Sequence, residues 1–383
     1  MKKIWSVIAM ILCAAVLMVA CTSEKDIEKT DEKTDAVEEQ KPEEKEYQKK
    51  LDAIEPSAYA NADGIALEKG SYISVIGKGE EGEFWAEVKK GAEQAVEDIN
   101  TKLGYKGKDA VKVTYSGPAD TDDVDEQVNI LDEELARYPI GISISIADMQ
   151  ACGVQFDLAA MNGIPIVAFD SGSDYPGLAA TVSTDNVGAA ALAADKIAEL
   201  MGETGEVAVF TQESKSQSAK DRVNSFVEAM QQKYPEITIV NIYASDQQDE
   251  IKAQIMETTG VENPDEITEE QMIDFIIEKY PNLKGCYATN NDTVIQVVEG
   301  LARAEAGDVK VVGYDYSEES VAALKNGEID GLIVQNPFGM GYASVIASAR
   351  ASLNLGNEAY INTGYVWVTK ENMKSEEVKG LLY

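Results

Sequence analysis

The stretch VKVVGYDYSEESVAALKNGEIDGLIVQNPFGMG, residues 309–341, holds a complete strand, helix and strand within thirty-three residues. Residues 310–314 are a short β-rich run that ends at Asp315. Ser317 stands where a helix cap belongs, Val321, Leu324 and Lys325 follow helical spacing, Asn326-Gly327 stops the helix, and residues 331–334 make a second apolar run. Each strand of this βαβ unit delivers a polar residue at its carboxyl end, Asp315 from the first and Gln335-Asn336 from the second. Open parallel sheets bind small ligands beyond those ends. On this stretch alone, Asp315 and Gln335 fit loop and capping roles equally well.

The same alternation runs upstream. Residues 72–77 read as a strand, 84–103 as an amphipathic helix with Val88, Ala92, Ala95, Val96 and Ile99 inward, and 110–115 as the next strand. A helix over 123–137, a strand over 140–146, a helix over 150–161 and a strand over 164–169 ending at Asp170 complete a first series. A second series restarts with an Ala-rich helix over 186–201, begun by Thr184-Asp185. It continues with strands at 207–211 and 237–243 around a helix at 219–233. Two helices, 248–259 and 268–279, stand where one would suffice, joined by residues 260–267. A strand over 285–289 ends at Asn290 and leads to a helix over 293–306. Beyond the opening stretch come a small-residue helix over 340–353 and a strand over 365–369. This alternation predicts mostly parallel sheets with helices on both faces, and two successive series predict two lobes.

The 383 residues, 44% hydrophobic, suffice for two domains with real cores. Thirty-three basic residues against sixty-eight acidic ones give a net charge of −35, which argues against nucleic acid or an anionic membrane surface as partner. Histidine is absent, which removes Ser-His-Asp and Cys-His nucleophile systems and every histidine-ligated metal site.

The first twenty-one residues read as an export signal: Lys2 and Lys3, an apolar run over 4–19, then Ala20-Cys21. Residues 17–21, LMVAC, resemble a bacterial lipobox with Met18 where leucine is usual. The expectation is therefore removal of residues 1–20 and lipidation of Cys21. Residues 22–50 are nearly all Glu, Lys, Asp and Thr, cannot repay the entropy of folding, and read as a solvated tether. Residues 51–69 carry no firm pattern. Cys152 and Cys286 fall in different halves of the chain and are expected as buried free thiols.

Strand ends contribute Asp170, Asn290, Asp315 and Gln335, and the loops add Phe84-Trp85 and Lys220 with Arg222. Such a set suits a polyhydroxylated ligand, because carboxylates and amides pair with adjacent hydroxyls and an aromatic face covers the C–H face of a sugar ring. The alternatives are a hydrophobic staple for Phe84-Trp85 and a solvated helix face for Lys220 and Arg222. Asp148, at another strand end, fits a helix cap equally. Gly77-Lys78-Gly79 with Gly82 is too irregular for a dinucleotide fingerprint. The acidic run 120–126 lacks the glycine and spacing of an EF-hand and reads as a solvated helix start.

From about residue 71 to 372 the order of motifs resembles the sugar-binding type I periplasmic binding proteins, the ribose- and galactose-type substrate-binding subunits of ABC transporters. The segments that carry the resemblance are YISVIGKGEEGEFWAEVKKGAEQA (72–95), GIPIVAFDSG (163–172), VSTDNVGAAALAADKIAEL (182–200), YATNNDTVIQVVEGL (287–301), VVGYDYS (311–317) and IDGLIVQNPFGMG (329–341). The resemblance implies two Rossmann-like lobes, residues 70–184 with 336–364 and 185–335 with 365–383, preceded by a polar linker over 21–69. It implies three crossings between the lobes, near Thr184-Asp185, Gln335-Asn336 and Thr363-Gly364. It places stacking aromatics at Phe84 and Trp85, and polar ligand contacts at Asp170, Lys220, Arg222, Asn290, Asp315 and Gln335. Three departures bear on the ligand: Ser171 and Lys220 replace arginines, and Gln248 stands where an aromatic is expected. No loop matches the calcium site of the galactose type, and neither metal nor cofactor is implied.

The functional expectation is a non-enzymatic, monomeric, extracytoplasmic lipoprotein. It binds a ribose-, galactose- or xylose-like monosaccharide between the lobes and delivers it to an ABC permease and its ATPase subunit. Two other readings use the same residues. A sensor would report a sugar or a furanose-like signal to a membrane receptor, and a secreted glycosidase would use Asp170 and Asp315 as paired carboxylates.

Overall fold

The computed structural model describes residues 47–383. The export signal, Cys21 and residues 22–46 of the tether lie outside the described residues. In chain order the first part carries α1 (Gln48–Asp52), β1 (Tyr72–Ile76), α2 (Glu83–Leu103), β2 (Lys112–Ser116), α3 (Val124–Leu135), β3 (Gly141–Ile144), α4 (Gly153–Met161), β4 (Ile166–Phe169) and β5 (Ala180–Ser183). The second carries α5 (Asn186–Met201), β6 (Gly205–Thr211), α6 (Gln217–Lys233), β7 (Ile237–Ala244), α7 (Asp249–Thr259), α8 (Glu269–Lys279), β8 (Leu283–Ala288), α9 (Asn291–Arg303), β9 (Lys310–Tyr314), α10 (Glu318–Asn326) and β10 (Gly331–Gln335). α11 (Pro337–Ser352), β11 (Tyr360–Asn362), β12 (Tyr365–Val368) and α12 (Glu376–Lys379) close the chain.

These strands form two six-stranded sheets, β11-β5-β4-β3-β1-β2 and β12-β10-β9-β8-β6-β7. The first is parallel throughout. In the second only β12 runs antiparallel, against β10. The sheets are the centres of two α/β lobes. The chain crosses between them three times, after β5, after β10 and between β11 and β12, because β11 completes the first sheet and β12 the second.

Local chemistry explains the boundaries. The Asp185 side chain accepts from the Gly188 N–H at 2.9 Å and starts α5. Ser317 and Ser320 form a reciprocal capping box at α10, and Gly327, at φ +84°, ends it in the left-handed conformation that favours glycine. α11 packs against both the first sheet and α2 and is buried on nearly every side, which accounts for its run of Gly, Ala and Ser. A Cβ on Gly341 would stand 1.9 Å from the Val88 carbonyl oxygen, so only glycine permits this approach of α11 to α2.

The tether and the unassigned segment after it are corrected. α1 already begins at Gln48, and Leu51, Ile54, Tyr59, Ala62, Ile65 and Leu67 are all buried in the first lobe's core. Glu55 and Asn362 exchange main-chain hydrogen bonds of 2.8 and 2.9 Å, so this segment is stitched to β11. The linker therefore does not extend to residue 69. β5 and β11, only four and three residues long, have no counterpart in the sequence reading. The second of the paired helices is accounted for: α7 and α8 bury Ile251, Ile255, Met272, Ile273, Ile276 and Ile277 in the second lobe's core, and Ile267 between them is buried as well. Cys152 and Cys286 are buried free thiols.

Candidate functional site

Asp170 follows β4 and Asp315 follows β9, equivalent places in the two sheets. Both take positive φ, +56° and +72°, a conformation that costs a non-glycine residue about 1–2 kcal/mol. Each N–H nevertheless donates to the neighbouring strand, Asp170 to the Val182 carbonyl and Asp315 to the Ile333 carbonyl, both at 2.8 Å. The left-handed turn keeps the ladder intact while it redirects the carboxyl group into the space between the lobes.

Around each acid the partners differ. Asp170 accepts from Ser145 Oγ at 2.7 Å and lies 3.5 Å from Lys78 Nζ. Lys78 also stands 3.9 Å from Asp122, too far for a hydrogen bond, and that Asp122 oxygen makes none. Burial works to lower the Lys78 pKa, but Asp170, Asp122 and Glu213 outweigh it and the pKa is raised, so the ammonium stays charged. Burial pushes the Asp122 carboxyl up to about 6 despite Lys78, with Glu213, Asp170 and Asp292 adding repulsion.

In the second lobe Arg222 organises the floor. Its Nε donates to Asn186 Oδ1 at 2.8 Å, one terminal nitrogen to the Thr289 carbonyl at 2.8 Å, and the other to Gln335 Oε1 at 2.7 Å. The guanidinium lies over the Tyr314 ring, 4.4 Å from its centroid. Because arginine can only donate, the Gln335 atom it meets must be the oxygen. Thr184 donates to that oxygen at 3.0 Å, and the Gln335 amide nitrogen donates to Asp315 Oδ1 at 2.7 Å. Gln335 is thus fixed at a lobe crossing by groups from three elements. Burial raises the Asp315 carboxyl to about 6, against the pull of Arg222 and the Gln335 hydrogen bond.

Phe84 and Trp85 stand edge-on to one another, centroids 5.0 Å apart, at the start of α2. Asn290 caps α9: its Oδ1 accepts from the Thr293 N–H and hydroxyl, and its amide donates to Gln212. One of the two N–H groups of the Asn290 amide is therefore used within the protein.

One cleft of about 310 Å³ gathers Phe84, Trp85, Asp170, Arg222, Asn290, Asp315 and Gln335 in its walls. Lys220 is not among them. Its Nζ donates to the Lys215 carbonyl at 3.1 Å and lies 3.5 Å from Met149 Sδ, across the lobes but outside the cleft. On a helix, residues two apart do not share a face, so Arg222 points inward and Lys220 cannot. Ser171 meets the second lobe too, accepting from the Ser218 N–H at 3.2 Å.

The same cleft contains residues that the sequence reading missed: Lys78, Asp122, Gln212, Ser218, Asp292, Tyr316 and Tyr383. Lys78 directly follows a strand and its glycine, which is a usable signal. The helix start over 120–126 is present, capped by Asp123, but Asp122 is not solvated as expected; at φ +68° it turns into the cleft. Among the described residues no group of three or more Cys, Asp or Glu side chains is placed to hold a metal ion.

The chain belongs to the periplasmic binding protein domain family, whose model matches residues 73–354. It is 25% identical over 267 residues to the D-allose-binding periplasmic protein of Escherichia coli, covering 67% of this chain and 77% of that protein. It is 23% identical over 296 residues to the ribose import binding protein of Salmonella typhimurium, covering 77% and 88%. Among solved structures it is similar to a carbohydrate transporter solute binding protein from Agrobacterium radiobacter in complex with D-arabinose, at 29% identity and a TM-score of 0.68, over 82% of this chain and 99% of that one. An ABC transporter solute binding protein from Agrobacterium vitis with bound D-fucose gives 26% and 0.69, over 82% and 100%. The resemblance to type I periplasmic sugar-binding proteins read from the motifs agrees with these relatives.

Proposed function

We propose that the chain is the extracytoplasmic solute-binding lipoprotein of an ABC importer, holding a neutral monosaccharide between its lobes for delivery to a permease and its ATPase subunit. The observation that carries this reading is the convergence of Asp170 with Lys78 from one lobe, and Asp315, Gln335 and Arg222 from the other, on a cleft flanked by Phe84 and Trp85. Its volume of about 310 Å³ is at the small end of the ~300–1,000 Å³ usual for ligand sites and suits one sugar ring. Carboxylates, an ammonium and a side-chain amide pair with adjacent hydroxyls, while the aromatic pair covers the apolar ring face. Asn290 joins them through its second amide N–H. Acids outnumber cations along the walls, with Lys78 and Arg222 facing Glu81, Glu83, Asp122, Asp170, Asp292 and Asp315. This balance favours neutral sugars over uronates and sugar phosphates.

Ligand closes the lobes over itself by favouring the closed member of an open–closed equilibrium. Lipid on Cys21 keeps the monomeric receptor at the membrane. No catalytic step is assigned, and the relatives are named as binding proteins. A thermal-shift screen of the mature chain against pentoses, hexoses, inositols, sugar phosphates and nucleosides tests the reading, since a ligand that binds only the folded state raises its melting temperature. Stabilisation by a neutral sugar, lost in Asp315→Ala, is expected. Stabilisation by a nucleoside and by no sugar would overturn it.

A further inference from the structure

One aromatic wall of the cleft comes from neither the strand ends nor the loop before α2. The Tyr383 ring meets Phe84 edge-on, centroids 6.5 Å apart, and Tyr316 at 5.8 Å. Phe84 belongs to the first lobe and Tyr316 to the second, so this ring spans the mouth. The segment that carries it is held on the second lobe, where Met373 and Val378 are buried in the core and Ser375 caps α12. From there it reaches across. Lys49 of α1 donates to the Glu376 carbonyl at 2.5 Å, and α1 is itself fixed in the first lobe's core through Leu51. A Cβ on Gly380 would stand 2.3 Å from Lys49 Cδ, so chain and lysine are in close contact.

The Tyr383 hydroxyl is buried in this setting with the Tyr316 main chain beside it, and no partner meets it in hydrogen-bonding geometry. Buried phenols ordinarily find a partner, because leaving one unpaired is costly. Tyr383 lines the same cleft as Asp315 and Gln335, which a sugar would occupy. We propose, resting on the sugar-binding reading above, that Tyr383 is a ligand-contacting and specificity-determining residue. Its ring adds a further aromatic wall around the sugar, and its hydroxyl donates to one sugar hydroxyl. A sugar that lacks that hydroxyl leaves the phenol unpaired and is rejected.

The test is calorimetric titration of the full mature chain, wild type, Tyr383→Phe and Tyr383→Ala, with D-ribose, D-allose, D-arabinose and D-fucose, followed by the monodeoxy analogues of whichever sugar binds. Tyr383→Phe is expected to weaken the parent sugar about tenfold and to cost nothing for one monodeoxy analogue, the one missing the paired hydroxyl. It should melt no lower than wild type, since an unpaired hydroxyl contributes no stability. Tyr383→Ala, which also removes the wall, is expected to weaken binding about a hundredfold. Affinities within twofold of wild type for both variants would overturn the proposal, as would an equal loss for every analogue. A folded wild type that binds no sugar at all would overturn the functional reading itself, which separates the two failures.

Discussion

Gln335→Glu is nearly isosteric and places a carboxyl group where the amide now donates to Asp315 at 2.7 Å. Two ionised carboxylates cannot occupy that distance in a buried site, so the pair must hold one proton. The free-energy cost depends on where the proton goes. With Asp315 at about 6, protonating it at pH 7 costs about 1.4 kcal/mol, one unit at 1.36 kcal/mol each. Protonating an ordinary glutamate of pKa about 4.3 costs about 3.7 kcal/mol. The variant is therefore expected to be destabilised by about 1.4–3.7 kcal/mol at pH 7. At pH 5 the Asp315 route costs nothing, so the penalty should be largely gone. Urea unfolding of the ligand-free protein at both pH values, followed by far-ultraviolet circular dichroism, reads the difference. Equal destabilisation at pH 7 and pH 5, or none at pH 7, would refute the Asp315–Gln335 pairing on which the floor of the cleft depends.

Tyr59→Ala is expected to lose about 3–5 kcal/mol, seen as a lower melting temperature, because Tyr59 is buried in the first lobe and its hydroxyl oxygen accepts from the Glu358 N–H at 2.7 Å; a linker residue would tolerate the change. Lys78→Met leaves Asp170 and Asp122 without their cation and should cost about 3–5 kcal/mol in stability, recovered in part at pH 5, where Asp122, raised to about 6, protonates. If the sugar requires ionised Asp315, a pKa of about 6 makes binding about tenfold weaker at pH 5 than at pH 7, which titration calorimetry at the two pH values measures. Stability of the ligand-free protein should move the other way. With Asp122 and Asp315 both raised to about 6, the folded state binds more protons than the unfolded chain between about pH 4 and 6, so their contribution falls as pH rises through that window.

Much of this cleft follows from local sequence rules. Asp170, Asp315 and Gln335 stand at strand ends by hydrophobic periodicity alone, and Arg222 enters the site through the family resemblance. What resisted reading has a physical cause in each case. The apolar residues between Leu51 and Leu67 follow neither a helical nor a strand period, since they fill gaps along one lobe and belong mostly to no regular element. β5 and β11 are held by their neighbours in the sheet, with too few residues to show a pattern of their own. Lys78 gains its role only when the loop after β1 is set beside the end of β4. Tyr383 is sixty-seven residues along the chain from Tyr316 and meets it only through the path of β12 and α12. Lys220 was drawn in by its proximity to Arg222 in sequence, although helical geometry separates them.

The central claim is that Asp170, Asp315, Gln335 and Arg222 converge on one neutral monosaccharide. Calorimetric titration of the mature chain with D-ribose, D-allose, D-arabinose and D-fucose, side by side with a uronate, a sugar phosphate and a nucleoside, tests it directly. The account predicts one saturable site per chain for at least one neutral sugar, absent in Asp315→Ala, and no binding of the anionic sugars. Saturable binding of the sugar phosphate or the nucleoside with none of the neutral sugars would contradict it.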